Sequence, residues 1–422
     1  MGTIKFAIHM LKADFKKSLF YCGSLIFSTI VVFVFFNMTA NPAYGGDPNG
    51  RSQSFTTVLS LIVVIIAMVM AFFANSFYLS GKSKELAIET LSGGSVLTLA
   101  GYILTQNFMI MLIAMPLGIL IGYFVTPLIN AYLYPQLGVT DSIWKVYSGG
   151  AAYTIVGLLT EMVWLVLLNT GYAYRTEIKT LISAEKTMTV KSKGMIKLPK
   201  FVFVLLYILP IALFVCLSPD AFIYLAASCV GLFGISGILK SVIPSVLKKL
   251  SRERFLNHPH RLISIGNLNY SLKQSTTLIQ MIIISATFLV CFMCTYFNDP
   301  KQLIIIIMSY VVLTFMMAVS LVYKVIIEAT HRAISFRHLK MIGYITKDLK
   351  KIIRQEILGM FSVVILFPML YFVVILIRFS SAGLMEWGFA ISVMAFYIFI
   401  FVIAAVISYW VYKGIVLKGS GR

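Results

Sequence analysis

The stretch KELAIETLSGGS, Lys84 to Ser95, is a short polar interlude between two long apolar runs, with two adjacent glycines in an otherwise helical pattern. It is too short to be a domain, so its surroundings decide the fold. Of the 422 residues, 59% are hydrophobic and the mean hydropathy is +0.93. The apolar residues come in long blocks rather than in helical stripes or strand alternation. A helix needs about 20 apolar residues to cross the hydrocarbon core, whereas barrel strands give alternating segments of about ten. The blocks therefore read as membrane helices, ten of them, at 18–38, 55–80, 98–126, 147–170, 201–217, 220–240, 276–297, 302–326, 356–379 and 386–412. The expected fold class is all-α, a polytopic membrane protein.

A net charge of +20 would suggest nucleic acid in a soluble protein, but its distribution follows the positive-inside rule. With the amino terminus inside, only Arg51, Lys145, Lys301 and Arg378 of the 35 basic residues fall on the outer side. Five of the 15 acidic residues, Asp47, Asp141, Asp220, Asp299 and Glu386, fall there on much less polar chain. The asymmetry and the even helix number place both termini in the cytoplasm of a cell membrane. The charge thus reports topology, with anionic headgroups as partner and no nucleic acid. The first block follows Lys16 and Lys17 without a small-residue cleavage pattern, so it reads as a retained helix rather than a signal peptide. The five cysteines lie in or beside apolar blocks, and Cys291 and Cys294 have no second pair, which supports neither a disulfide scaffold nor a zinc site. His258 and His260 in NHPHR are two ligands at most, so no metal is expected.

The chain also carries a repeat. Gly93 aligns with Gly343 at an offset of 250, which sets Leu91 against Met341 and Gln106 against Glu356. Upstream, Ile8 to Ser18 aligns with Ile265 to Ser275 at an offset of 257. The shared order is basic amphipathic lead, helix, outer loop, helix, short inner segment with glycine, two helices. The expected organisation is a first repeat at 1–170, a basic cytoplasmic linker at 171–200, an inserted helix pair at 201–243, a second basic linker at 244–275, a second repeat at 276–416 and a tail at 417–422. Both repeats begin inside, so they are parallel. Short amphipathic surface helices are expected in the two linkers, and the largest outer pieces are expected at Met38 to Ser54 and roughly Pro127 to Val146.

With Glu85, Leu86, Ala87, Ile88, Gly93 and Ser95, the inner segment resembles the signature of the FtsX-like permease family, E-(I/L)-A-(I/L)-x-x-x-(L/x)-G-(A/x)-(S/T). Asn75 stands upstream, where that family often has Asn. In the second copy, FRHLKMIGYI, the matches are Leu339, Lys340, Gly343 and Glu356, and Ser335 replaces the family's acidic residue. The whole plan is most similar to Bce-type permeases of antimicrobial-peptide transporters. Those carry a large extracellular domain between helices 7 and 8, where this chain has only Phe297 to Lys301, so capture by such a domain is not expected.

The resemblance implies the membrane subunit of an ABC transporter. A short amphipathic helix ending at Gly93-Gly94 would lie along the inner surface, pack Leu86 and Leu91 on a partner, and pass a displacement to the flanking helices, glycine permitting the turn. The bland alternative is a cytoplasmic loop with a glycine cap. No G-x-x-x-x-G-K-[ST] run occurs, so ATP and Mg belong to a separate cytoplasmic ATPase, two copies for two levers, and this chain is expected to be non-catalytic and to hold no cofactor.

Glu161, midway along the fourth block, is the strongest single site candidate, because an isolated carboxylate in the bilayer is costly unless it faces protein or water. It either lines a substrate path, pairs with a base, or hydrogen-bonds within the bundle. Gln106 and Glu356 read as interfacial anchors. The expected function is coupling of ATP use to movement or extraction of an amphipathic membrane-associated substrate: an antimicrobial or hydrophobic peptide, or a lipid-linked molecule. The alternative is a signalling scaffold that relays ATPase state to a sensor kinase or a cell-wall enzyme.

Overall fold

The computed structural model describes residues 7, 9–11, 15–44, 51–82, 86, 88, 96–175, 199–254 and 259–419. Their regular structure is all helical. Nine helices among them are long and apolar enough to cross a membrane. The expected helix at 201–217 is also present, as 17 residues spanning about 25 Å, a little short of the roughly 30 Å hydrocarbon core. The chain is an all-α, multi-pass membrane protein. It divides into two compact units, Met1–Thr189 and Val190–Arg422.

In the first unit, α1 (Phe15–Ala40) packs against α2 (Arg51–Gly81), α3 (Val96–Leu137) and α4 (Ser148–Arg175). Polar side chains brace the end carrying Pro42–Tyr44: Tyr44 donates to Asn130 Oδ1 at 2.7 Å, and Asn41 donates to the Tyr134 hydroxyl at 2.9 Å. Burial pushes the Tyr44 phenol well above its ordinary pKa, so it stays a neutral donor. The outer piece expected from Pro127 is in fact helical to Leu137, because α3 runs on through Pro116, Pro127 and Pro135.

The second unit begins with a hairpin of α5 (Lys200–Cys216) and α6 (Ala221–Gly237). Asp220 caps α6, accepting from the backbone N–H of Phe222 at 2.8 Å and Ile223 at 3.2 Å. Arg378 closes the other end of α5, donating to the carbonyls of Phe214 at 3.2 Å and Leu217 at 3.1 Å. A π-turn, Ile238–Val242, carries α6 into α7 (Ile243–Arg254), and α8 (Pro259–Gln274) follows. These helices occupy the expected 244–275 linker; of the 171–200 linker, 176–198 lie outside the described residues.

Four long helices complete the unit: α9 (Thr276–Thr295), α10 (Pro300–Met341), α11 (Thr346–Ser381) and α12 (Trp387–Gly419). The connection from α9 to α10 is four residues, ended by Asp299 as the cap of α10. Inside α11, Pro368 lacks the N–H that would bond the Val364 carbonyl, and the Tyr397 hydroxyl of α12 donates to that carbonyl at 3.2 Å. The α10 helix passes the expected end at 326 by fifteen residues, and α11 starts ten residues before the expected 356. The 42 residues of α10 measure about 63 Å, twice the hydrocarbon thickness.

Lipid tails give helices no hydrophobic reason to associate, so close approach through small residues has to hold α5 on α6. Gly234 provides it: a Cβ there would sit 2.5 Å from the Tyr207 nitrogen and 2.8 Å from the Phe203 carbonyl oxygen. Both neighbours are backbone, which cannot step aside. Gly234→Val should therefore lower the melting temperature in detergent by several degrees, equivalent to about 1–3 kcal/mol of overpacking. Gly266→Ala, with nothing within 4 Å, serves as control and should change it little. Equal melting temperatures for the two variants would contradict this account of the hairpin.

Candidate functional site

Four charged residues meet where α10 leaves its membrane-length portion. Lys324, Glu328 and Arg332 recur every fourth residue, which places them on one face of α10. Lys324 and Arg332 both pair with Glu328, and Arg332 also pairs with Glu356 of α11. The remaining hydrogen-bonding capacity is taken up by neighbours. From α8, Ser271 donates to Glu328 and also to Glu356 at 3.3 Å, Asn267 donates to Glu356 at 3.2 Å, and the Asn267 carbonyl accepts from Arg332 at 3.1 Å. From α12, Tyr412 donates to Glu356 at 3.4 Å. Tyr270 offers its ring to the Arg332 guanidinium at 5.4 Å, and burial followed by the Glu328 charge pushes its phenol up to about 12. Two acids and two bases cancel in formal charge, so Lys324, Glu328 and Glu356 are buried beside a largely covered Arg332 as a hydrogen-bonded unit that ties α8, α10, α11 and α12 together.

Beyond Arg332 the α10 helix continues about 14 Å to Met341. There it closes in a Schellman arrangement: Gly343 donates to the Lys340 carbonyl and Tyr344 to the Leu339 carbonyl, both at 3.1 Å, with Gly343 at φ +108. Leu339, Lys340 and Gly343 thus form the turn from α10 into α11 rather than a separate helix along the membrane surface. Met341, Ile342 and Ile345 are 74%, 77% and 60% exposed at this tip, beside exposed Arg337, His338, Lys340 and Lys347.

Of the first lever, Glu85, Ala87, Leu91, Gly93 and Gly94 lie outside the described residues. Leu86 is fully buried in a cluster with Ala7, Leu79, Leu99, Ala100, Tyr102 and Ile103, so it packs within its own unit and not on a partner. Ile88 is 57% exposed. Gln106 and Glu356 are buried, which corrects their reading as interfacial anchors. Gln106 donates to the Ala7 carbonyl at 3.2 Å and to Tyr102, much as Glu356 accepts from Asn267; each braces the segment leading into its own helix set. An amide or carboxyl with several protein partners has no need of the headgroup layer.

Glu161 is buried in the first unit and accepts from Ser28 at 3.4 Å, with Ser28 also 3.4 Å from the Ala67 carbonyl. No basic side chain pairs with it among the described residues. His260 lies 3.4 Å from Asp348, and the described residues contain no cluster of metal-ligand type. Sequence reasoning missed Lys324, Glu328 and Arg332, although charges at every fourth position in LVYKVIIEATHRAI mark one helix face.

No family model matches the chain. It is 28% identical over 177 residues to the uncharacterized ABC transporter permease YvcS of Bacillus subtilis (strain 168), covering 41% of this chain and 27% of that protein. Bacitracin export permease protein BceB of Halalkalibacterium halodurans is 21% identical over 159 residues, 37% of this chain and 24% of its own length. BceB of Bacillus subtilis (strain 168) is 18% identical over 195 residues, 46% and 30% respectively. Its relatives are ABC transporter permeases. The matched stretches span less than a third of those permeases' lengths.

In a permease-like bundle the charge set makes a measurable demand. Arg332→Leu leaves the buried Glu356 without an ion-pair partner and takes one of two partners from Glu328, and should cost about 3–5 kcal/mol. Arg332→Leu with Glu356→Leu leaves Lys324 and Glu328 paired and should recover much of that loss in a thermal-unfolding double-mutant cycle. A double variant as unstable as the sum of the singles would show that the residues are not coupled.

Proposed function

We propose that this chain is the membrane subunit of an ABC transporter that converts nucleotide-driven movement of a partner ATPase into displacement of its helices. The observation that carries the reading is the tip of the α10–α11 hairpin. A helix twice the hydrocarbon thickness ends in three exposed apolar side chains among basic ones. Apolar side chains on a membrane span are covered by lipid; at a tip bounded by Arg337, His338, Lys340 and Lys347 they are available to a protein partner. The first lever supplies Ile88 as the corresponding exposed apolar residue. Both levers face the cytoplasm in the orientation set by the basic residues, one ATPase copy to each, with ATP and Mg bound there. Cytoplasmic termini and contact with anionic headgroups belong to the same orientation.

The cargo fitting this reading is amphipathic and membrane-associated, a hydrophobic or antimicrobial peptide or a lipid-linked molecule. Much of α3, α4 and α12 presents apolar side chains outward, which suits lateral movement between bundle and bilayer better than passage through an aqueous tunnel. The BceB relatives, named as bacitracin export permeases, support a peptide among these classes.

The test is co-purification from source membranes in detergent, with stoichiometry by mass. An ABC ATPase at two copies per chain is expected with the wild type. Ile342→Asp and Ile88→Asp, both at exposed positions, should each reduce its recovery about tenfold while the chain keeps its melting temperature. A wild type without ATPase, or variants that retain it in full, would overturn the docking assignment.

A further inference from the structure

Three asparagines form a ladder across the inner half of the first unit. Asn107 of α3 donates to Asn75 of α2 at 3.0 Å, and Asn75 donates to Asn169 of α4 at 2.6 Å. Among the described residues the ladder leaves one acceptor, Asn107 Oδ1, and one donor, Asn169 Nδ2, without a hydrogen-bond partner, though these residues are only 3% and 0% exposed. Turning all three amides over exchanges the two ends and still leaves one donor and one acceptor. Both end residues line a cavity of about 410 Å³ between α3 and α4, whose other walls include Phe108, Met109, Met111, Met162 and Leu165. Phe108 is 48% exposed, so the cavity opens sideways toward lipid.

The cavity makes two demands of its occupant. A water offers both a donor and an acceptor, yet its volume of about 30 Å³ leaves most of the space unfilled. A lipid tail fills the space but pairs with neither atom, and a lipid ester offers acceptors without a donor. A secondary amide flanked by apolar groups meets both demands, since it carries one donor for Asn107 and one acceptor for Asn169 once those side chains turn into the cavity. Three methionines in the wall accommodate side chains of varied shape, which suits a peptide more than a uniform acyl chain. The size lies within the range of ligand-binding pockets.

We infer that this cavity is a lateral binding site for a backbone amide of a hydrophobic peptide, held by Asn107 and Asn169 with Asn75 positioning both. The inference deepens the transport reading above by assigning one of its cargo classes to named residues. It also places the polar recognition beside the inner end of α2, close in sequence to the first lever.

The probe is acetyl-Leu-photoleucine-Leu methylamide, compared with its fully N-methylated counterpart, which keeps the carbonyls but has no donors. Each is photolysed with the full chain in phosphatidylglycerol nanodiscs, without ATP or ATPase, and adducts are mapped by mass spectrometry. The N–H form should label 104–111 and 162–169 about fivefold or more over the methylated form. Val166→Trp, which fills the cavity from its rim and replaces no member of the ladder, should suppress that labelling. Asn107→Leu should remove the preference between the two forms. Equal labelling by both forms in the wild type, or adducts displaced by excess phospholipid as readily as by unlabelled peptide, would make the cavity an ordinary lipid groove and overturn the inference. Because no ATPase is present, that outcome leaves the tip-docking result standing, and failure of docking leaves this one standing.

Discussion

Charge that is buried beside lipid has to be cancelled locally, and the second unit is arranged around that requirement. Lys324, Glu328, Arg332 and Glu356 sit where hydration is withdrawn, and only their mutual pairing with Ser271, Asn267 and Tyr412 makes the arrangement tolerable. Because the partners come from four helices, a shift of α11 against α10 breaks an ion pair, and a shift of α8 or α12 takes hydrogen bonds from the buried carboxylates. Hydrocarbon-like residues of the same volume would fill the space as well; the pairing adds a directional fit between the helices.

The same accounting recurs at smaller scale wherever the backbone is interrupted. Pro368 frees a carbonyl that Tyr397 takes, Arg378 gathers carbonyls at the end of α5, and Asp220 and Asp299 supply the N–H groups at the starts of α6 and α10 with an acceptor. Two acids that the charge asymmetry of the sequence assigns to the outer side are thus also helix caps. One selection on composition serves topology and another serves hydrogen bonding, and the residues satisfy both.

Helix number and class were legible because block length against bilayer thickness is a coarse physical signal that side-chain detail does not disturb. Helix ends were not. The basic and acidic residues of 324–356 look like the exit from a membrane, and hydropathy alone ends the helix there, whereas mutual neutralisation lets α10 continue to Met341. Leu86 and Gln106 erred for a related reason: a local motif shows which residues are apolar or polar, but not whether the chain's own amino-terminal segment has already covered them. The asparagine ladder was invisible, since Asn75, Asn107 and Asn169 are brought together only by the packing of α2, α3 and α4.

Under the proposed coupling, the rigidity of the ionic set determines where motion has to go. A force on the Met341–Ile345 tip acts through about 14 Å of helix before it reaches Arg332, and the four tied helices then respond together at their inner ends. Strain is taken up where the helical ladder is already irregular. One such place is the junction of α8 and α9 at Ser275, with φ −91 and ψ 4; another is the π-turn at Ile238–Val242. Both adjoin helices that pack on α9, α5 or α6 rather than on the ionic set alone. A push at the tip is therefore converted into relative movement of the inserted hairpin and the second helix set. That is the motion a lateral exchange between bundle and lipid requires, because it changes helix contacts at the membrane-facing surface without unpairing a buried charge.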